Sequence, residues 1–206
     1  NSLMLEMFHL IDYFFNDWVT DEKSPHIRSL GQLWLEKGEL RVDAELTGGR
    51  KAEFVCDQTS GDIQSEVPPT VGIHCHQQPT QSDVVFAIDC AAGKNGTTWF
   101  VDSLGGSRPR EVKQVSPDHE LLRRLQYGAD DPQPERIEVS PTEEKFFLIE
   151  QNENLQRLRA LTLVGTTKGA TGEAVSDWKT HFEKKILGHR NFALEKGKLV
   201  PNATGP

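Results

Sequence analysis

Residues 40–56 have the sequence LRVDAELTGGRKAEFVC, and this stretch decides the fold prediction. Its first seven residues alternate strictly between apolar and charged side chains. A period of two places the apolar side chains on one face of an extended strand, which is typical of a half-buried sheet. Gly48 and Gly49 follow, and glycine adopts the positive φ that a tight hairpin turn demands. Residues 52–56 resume the alternation, so the stretch predicts two antiparallel strands joined by a hairpin.

The alternation extends on both sides of this hairpin, from Leu30 to Ser103. Short turns rich in glycine and polar residues separate its segments at 36–38, 59–62, 77–82 and 92–96. Short strands joined by short turns favour an antiparallel meander of about six to eight strands, forming either an open curved sheet or a partial barrel. Strands are also predicted at 137–139 and 146–149.

One short motif occurs twice in the chain. Residues 35–40 are LEKGEL and residues 194–199 are LEKGKL, and the similarity does not extend beyond these segments. Charged residues ahead of a glycine are a common solution at a hairpin bend. The motif therefore predicts two similar hairpins rather than a repeat architecture.

Two segments place apolar residues at three- and four-residue steps, which is the spacing of one helix face. The first is Met4–Trp18, and the second is Ala174–Leu187. The stripe of the second consists of Val175, Trp178, Phe182 and Ile186. Shorter helices are predicted over residues 117–125 and 152–161. The predicted fold class is therefore α+β, with an N-terminal amphipathic helix and C-terminal helices packed against the antiparallel meander.

The chain of 206 residues is predicted to form one domain over 1–206, since this length can bury a single core. A linker rich in aspartate and proline at 128–135 marks a possible subdomain boundary. It divides a helix-plus-sheet part, 4–129, from a smaller α/β part, 136–200.

The protein is acidic, with a net charge of -8 from 31 acidic and 23 basic residues. This balance provides no sequence-wide basic surface for a phosphate backbone, which argues against nucleic-acid binding. It argues equally against docking on an anionic membrane, and the longest apolar run is too short to span a bilayer. The three cysteines are scattered and do not resemble a disulfide framework, which favours a reducing compartment and a cytoplasmic protein.

The densest group of reactive side chains is His74-Cys75-His76. On a strand His74 and His76 share one face, and two imidazoles two residues apart can converge on a metal ion. A third ligand on a neighbouring strand would complete the site, and the candidates are Cys90, Asp89 and Asp102. The competing interpretation is a strand end with two surface histidines and a buried thiol.

A cysteine hydrolase is a second chemical hypothesis. Cys75 or Cys90 would be the nucleophile, His119 or His74 the base, and Asp102 the orienting group. Reactive cysteines are commonly placed at a helix N-terminus, where the dipole lowers the thiol pKa. Both cysteines fall instead inside predicted strands, where a small buried hydrophobic residue is the competing interpretation.

A glycine-rich segment offers a third hypothesis. Residues 161–164 predict a strand, residues 165–173 a loop, and Ala174 the start of a helix. Strand, glycine-rich loop and helix N-terminus together form an anion cradle, so Gly165, Thr167, Lys168 and Gly169 are candidate anion-binding residues. The segment matches neither of the common phosphate-binding motifs, and Glu173 would repel a phosphate.

These hypotheses lack a convergent catalytic set, and no particular cofactor is indicated. The function predicted from the sequence is a non-catalytic binding or adaptor domain, which engages a protein partner or a small hydrophobic ligand through its sheet surface. The alternatives are the Cys/His hydrolase and a metal-binding domain centred on His74 and His76.

Overall fold

A computed structural model describes residues 17–18, 23–24, 26–70, 83–153, 155–187, 192–195 and 198–201. This part of the chain is built from strands and turns, with a single 3-10 turn at Lys94–Gly96. The strands are β1 Ile27–Glu36, β2 Glu39–Leu46, β3 Lys51–Cys56, β4 Ile63–Val67, β5 Ala87–Ala92, β6 Thr98–Asp102, β7 Glu111–Val115, β8 Leu121–Gln126, β9 Gln133–Val139, β10 Phe146–Gln151, β11 Leu155–Lys168, β12 Ala174–Leu187, β13 Phe192–Glu195 and β14 Lys198–Pro201.

The strands form two main sheets and a separate hairpin. The first sheet has the order β1-β2-β3-β4, and the second has the order β5-β6-β7-β8-β12-β11-β10-β9. Strands β13 and β14 pair with each other. All neighbours are antiparallel except β8 and β12, which pair in parallel at two positions, Ala174 with Arg123 and Val175 with Arg124.

The eight-stranded sheet curls into a nearly closed barrel. Its two end strands, β5 and β9, lie beside each other, and Asp89 Oδ2 on β5 accepts the N–H of Ile137 on β9 at 2.8 Å. Where the two end strands meet, a side-chain carboxylate thus accepts a hydrogen bond that a backbone carbonyl would accept in a regular ladder. The ladder is also short between β8 and β12, because β12 has no strand partner on that side beyond Val175 among the described residues.

Two large hydrophobic cores result, one inside the barrel and one between the sheets, and a smaller third cluster contains Val84, Cys90 and Phe100. The inner core contains Ala91, Trp99, Val101, Val112, Tyr127, Ile137, Val139, Phe146, Leu148 and Leu161. The second core joins apolar residues of β1, β2 and β3 to the outer face of β10, β11 and β12, where Phe147, Ile149 and Phe182 lie. Each fully buried phenylalanine or leucine contributes roughly 1.5–3 kcal/mol, so both cores are substantial.

A buried amide fastens the two sheets to each other. The side chain of Gln156 on β11 accepts the N–H of Leu30 at 2.7 Å and donates to the Leu30 carbonyl at 2.9 Å. The register of β1 shifts just after Leu30, so its backbone is irregular there. Gln156 satisfies both polar groups of this residue inside the core, where an unpaired group would be costly.

The predicted α+β class is wrong, because the described residues contain no α-helix. The segment Ala174–Leu187 is strand β12, in which a bulge shifts the register between Leu161 and Ala160 of its partner. The bulge sends Trp178 into the barrel and Phe182 to the outer core. Apolar residues at three- and four-residue steps therefore serve two opposite faces of one strand rather than one face of a helix.

The two shorter predicted helices are also wrong, because both segments are strands. Residues 121–126 form β8, and the segment predicted as a helix over 152–161 is largely the start of β11. Both segments pair mainly with neighbouring strands of the chain, β8 with β7 and β11 with β10 and β12, and this pairing overrides weak local propensity. The predicted helix Met4–Trp18 lies outside the described residues except for Asp17 and Trp18, which form a turn.

The strand predictions for the first sheet are confirmed. Residues 39–46 and 51–56 pair as β2 and β3 around the predicted glycine turn, where Gly48 and Gly49 have φ of 94° and 87°. The repeated motif also forms two similar hairpins, since Leu35 pairs with Leu40 and Leu194 pairs with Leu199. The antiparallel centre of the molecule was therefore predicted correctly.

Two further findings bear on the organisation of the chain. Residues 128–132 form the turn between β8 and β9, which belong to the same eight-stranded sheet. Within the described ranges, no helix has the length and apolar character needed to cross a membrane.

Candidate functional site

The inner face of the curled eight-stranded sheet is concave and is lined by the inner core. Side chains alternate between the inside and the outside along each strand, so the inner residues of β6 are Trp99 and Val101. An eight-stranded barrel is just wide enough to be filled by side chains or to hold one small ligand. Its interior is therefore where a binding site is expected.

Three aromatic rings line one end of the interior, and we call Trp99, Phe146 and Trp178 the aromatic cluster. The ring centroids of Phe146 lie 4.8 Å from Trp99 and 4.7 Å from Trp178, and both contacts are edge to face. The two tryptophan centroids are 6.3 Å apart. Trp99 and Phe146 are fully buried, whereas Trp178 is half-buried. The cluster thus presents one ring at the edge of the barrel interior.

Two polar atoms beside the aromatic cluster have no hydrogen-bond partner. They are the hydroxyl of Ser176 and the indole N–H of Trp178, and both atoms are buried. Ser176 is only 3% exposed. The two residues are two positions apart on β12, so their side chains share a face. Buried polar groups are nearly always paired in native proteins, so two adjacent unpaired groups require an explanation.

Two basic residues lie on the same face, one on either side of β12. Ala174 on β12 pairs with Lys168 on β11 and with Arg123 on β8, so the three residues form one row across three strands. Arg123 belongs to the inner face of β8, because Leu125 and Tyr127 pack in the inner core. Its neighbour Arg124 points outward and pairs with Glu111 and Glu173.

A turn residue holds the aromatic cluster in place. Glu143, in the turn between β9 and β10, accepts the indole N–H of Trp99 at 3.3 Å. The same oxygen accepts the N–H of Lys94 at 2.6 Å and the hydroxyl of Thr97 at 3.4 Å. Glu143 therefore joins two hairpins at this end of the barrel and sets the orientation of Trp99.

The other end of the interior contains ionic side chains, and we call Tyr127, Glu150, Arg157 and Arg159 the charged cluster. Glu150 is fully buried and accepts a hydrogen bond from Arg157 Nε at 3.0 Å, with Arg159 bound to its second oxygen. Burial raises the pKa of the Tyr127 hydroxyl well above its usual value, and the negative charge of Glu150 adds to this rise. The hydroxyl therefore stays neutral at physiological pH.

Of the residues in the hydrolase hypothesis, Cys75 and His74 lie outside the described residues, and Asp102 and His119 lie far from each other. Asp102 lies on the outer face of β6, fully buried, and accepts hydrogen bonds from Val85 N–H at 2.9 Å, Phe86 N–H at 2.8 Å and Lys113 Nζ at 2.7 Å. These contacts anchor the chain ahead of β5. His119 lies in the turn between β7 and β8, beyond the opposite end of β6. The length of a five-residue strand, roughly 13 Å, separates the two ends.

The cysteines differ in their chemical state. Cys90 forms a disulfide bond, whereas Cys56 is a buried free thiol. A disulfide sulfur is neither a nucleophilic thiolate nor a thiolate ligand until it is reduced. A disulfide at Cys90 removes the basis for assigning the protein to a reducing compartment. Burial raises the pKa of Cys56 to about 12, which keeps this thiol inert.

The metal hypothesis concerns His74, Cys75 and His76, which lie outside the described residues. No group of three His, Cys, Asp or Glu side chains in the described ranges is arranged to hold a metal ion. Of the proposed third ligands, Asp89 and Asp102 each accept a backbone N–H.

The anion-cradle residues occupy a hairpin rather than a loop before a helix. Gly165, Thr167 and Lys168 belong to β11, and Gly169 begins the turn into β12. The Gly169 N–H donates to the Glu173 carbonyl at 2.7 Å, and the Thr171 N–H donates to the Glu173 carboxylate at 3.0 Å. These amides are therefore occupied within the turn. Of the four candidate anion-binding residues, only Lys168 belongs to the row that also contains Ala174 and Arg123.

Sequence reasoning did not select Ser176, Trp178 and Arg123 as candidate site residues. The helix prediction for 174–187 assigned Trp178 to a helix face and gave Ser176 no role. The available signal was the alternation Ala174, Ser176, Trp178, which is visible only once the segment is treated as a strand. Arg123 gains its position from pairing between distant strands, for which the sequence carries no local signal.

Comparison with known proteins identifies no relative from which a function could be inferred. No protein-family model and no curated protein sequence matches the chain.

Proposed function

We propose that the protein is a non-catalytic binding protein that takes up a small, largely apolar ligand in its barrel interior. The observation that carries the proposal is the pair of buried, unpaired polar atoms, Ser176 Oγ and Trp178 Nε1, next to the aromatic cluster. Ligand sites characteristically combine an apolar lining with a few convergent polar groups. This end of the interior has that combination.

The two unpaired atoms carry a cost in free energy. A buried donor or acceptor without a partner costs about 1–3 kcal/mol, and the cost is recovered when a partner binds. A ligand that accepts hydrogen bonds from the Ser176 hydroxyl and the Trp178 N–H would recover it. An aromatic ligand body would also gain edge-to-face contacts with rings such as Trp178.

Binding is favoured over catalysis because the two carboxylates that border the interior, Glu150 and Glu143, are already engaged by hydrogen-bond donors. Glu150 is occupied by two arginines, and the Glu143 oxygen is occupied by three donors. A general base or nucleophile needs a free, suitably poised group. Neither carboxylate meets that requirement.

The proposal includes a route of entry. Strand β12 pairs with β8 at two positions only, and both Leu163 and Trp178 are half-buried on the inner face. A sheet with so short a ladder between two strands opens more easily there than along its longer ladders. We place the entrance between β8 and β12, beside Trp178.

The test is a fluorescence titration with the neutral apolar probe N-phenyl-1-naphthylamine. We expect its emission to rise and saturate on binding, with energy transfer from the tryptophans of the aromatic cluster. A Leu163→Trp variant places a larger side chain on the inner face at this end and should abolish the rise. The matched control is Val164→Trp, since Val164 is 57% exposed on the same strand.

Three results would overturn the proposal. They are a probe that does not bind the folded protein, a probe that binds without saturation, and equal binding to the two tryptophan variants. Circular dichroism of each variant establishes that the fold is retained. Native mass spectrometry of the purified protein gives an independent readout, because a co-purified small molecule would appear as a discrete mass increment.

A further inference from the structure

We propose that the ligand carries an anionic group, a carboxylate in its simplest form, which is bound by Arg123 and Lys168 together with the Ser176 hydroxyl. This inference rests on the proposed function, because it assigns the polar end of the same ligand. It assigns the ligand to a chemical class, anionic amphiphiles, which the apolar interior alone does not specify.

The first observation is the position of the two basic residues. Lys168, Ala174 and Arg123 are register partners on three adjacent strands, so the two cations flank Ala174 on one face. Neighbouring strands lie about 4.8 Å apart, so the backbones of Arg123 and Lys168 are roughly 10 Å apart. Two long side chains approaching from that separation can meet on a single oxyanion.

The second observation is the lack of carboxylate partners for these two cations. Arg157 and Arg159 in the charged cluster are paired with Glu150, and Arg124 is paired with Glu111 and Glu173. Across the described part of the chain, no carboxylate forms an ion pair with Arg123 or Lys168. Neither cation is therefore neutralised by an acidic side chain of the described residues.

The third observation is the buried hydroxyl two residues along the same strand face. Ser176 is almost fully buried, and its Oγ has no hydrogen-bond partner. Residues two apart on a strand are separated by about 7 Å, which places Ser176 within reach of an anion held at the Ala174 row. A hydroxyl, an indole N–H, a guanidinium and an ammonium are all donors, and such a set is complementary to an oxyanion.

The nearby acidic side chains do not oppose this assignment. Glu173 follows the hairpin turn, where its carboxylate is bound by Arg124 and Thr171 on the outer side. Glu143 is bound by Lys94, Thr97 and Trp99. The charge of Glu173 is therefore paired with that of Arg124, and the Glu143 oxygen is already engaged by three neutral donors.

The experiment compares two probes of the same shape and different charge, 2-naphthoate and 2-naphthamide, by isothermal titration at pH 7. We expect 2-naphthoate to bind the wild-type protein at least tenfold more tightly than the amide, because charge-assisted hydrogen bonds are roughly twice as strong as neutral ones. Arg123→Gln should reduce this preference about tenfold, and Lys168→Gln should reduce it by a smaller factor, because Lys168 is more exposed.

The matched control is Lys179→Gln, which makes the same charge change at an exposed residue of β12 opposite Thr162. This variant should retain the full preference for 2-naphthoate. Equal affinity of the wild-type protein for both probes would overturn the inference while leaving the proposed function intact. So would an Arg123→Gln variant with an unchanged preference. If neither naphthalene probe nor N-phenyl-1-naphthylamine binds, both proposals fail together.

Discussion

Buried charges in this protein are generally matched by opposite charges, and the exceptions are informative. Glu150 has two arginines and Asp102 has Lys113, as expected for charges removed from water. Glu138 on β9 differs, because its carboxylate is packed against β1 and receives only N–H groups, from Val139 at 2.9 Å and Leu35 at 3.4 Å. Its charge is therefore poorly compensated in the folded state.

The state of Glu138 predicts a pH effect on stability. Burial raises the pKa of Glu138, and the negative charge of Asp89 contributes to the rise. The folded protein then binds more protons than the unfolded chain between the ordinary glutamate pKa and the raised one. Stability contributed by this residue is therefore present at low pH and is lost as the pH rises through that window. Urea unfolding from pH 4 to 7 measures it.

A Glu138→Gln variant should remove this part of the pH dependence and be more stable than the wild-type protein at pH 7. The control is Glu135→Gln on the same strand, where Glu135 pairs with Arg110. That variant is not expected to gain stability at pH 7. An unchanged pH profile in Glu138→Gln would contradict the prediction.

The cysteine assignments predict the number of reactive thiols. Cys90 is disulfide-bonded and Cys56 is free, so denatured but unreduced protein should take up one iodoacetamide. Reduction before denaturation should raise the number to three, the total in the chain. Folded protein near pH 8 should react slowly, because burial raises the Cys56 pKa to about 12. Intact-mass spectrometry gives each count, and three thiols without reductant would contradict the disulfide.

At the scale of elements, strand β12 had the decisive role, because one strand serves both cores. Its bulge places Trp178 on the inner face and Phe182 on the outer face. The alternation along residues 40–56 predicted β2 and β3 correctly because the alternating apolar residues of both strands all pack into one core, that between the sheets. A strand that changes its buried face has no single period, and the spacing that remains resembles a helix.

Glu143 connects two hairpins, and we expect this contact to stabilise the fold. Glu143→Ala removes the acceptor for Lys94 N–H, Thr97 hydroxyl and Trp99 N–H, so the two hairpins lose their common contact. We expect a loss of about 1–3 kcal/mol in the free energy of unfolding, the cost of leaving such donors unpaired. Denaturant unfolding followed by tryptophan fluorescence measures it.

The neighbouring Glu144 provides a matched control, because its side chain is exposed in the same turn. Glu144→Ala should change the free energy of unfolding by less than about 0.5 kcal/mol. Equal effects of the two substitutions would show that the contact contributes no stability.

At the scale of the whole molecule, strand β10 connects the two cores. Phe146 and Leu148 face the barrel interior, whereas Phe147 and Ile149 face the first sheet, and all four are almost completely buried. Gln156 adds hydrogen bonds between the sheets at Leu30. The sheets are therefore expected to unfold together rather than in succession.

A Phe147→Ala variant tests this cooperativity. The fully buried ring should cost roughly 3–5 kcal/mol on removal, because its transfer energy is lost and a cavity remains. Unfolding should still occur in one transition, with tryptophan fluorescence and far-ultraviolet circular dichroism giving the same midpoint. Two separate transitions, or a loss no larger than that of Val164→Ala at an exposed site, would contradict the prediction.

The sequence by itself determined the acidic character, the strands and turns of the first sheet, and both LEKG hairpins. These features depend on alternation and turn residues within a few positions of each other, so local patterns report them. The tertiary structure alone decided the barrel, the identity of β12, and the disulfide at Cys90. It also brought Arg123, Lys168 and Ser176 to one face. The physical reason is distance along the chain: β8 pairs with a strand about fifty residues later, and the energy of that pairing depends on partners that no local pattern encodes.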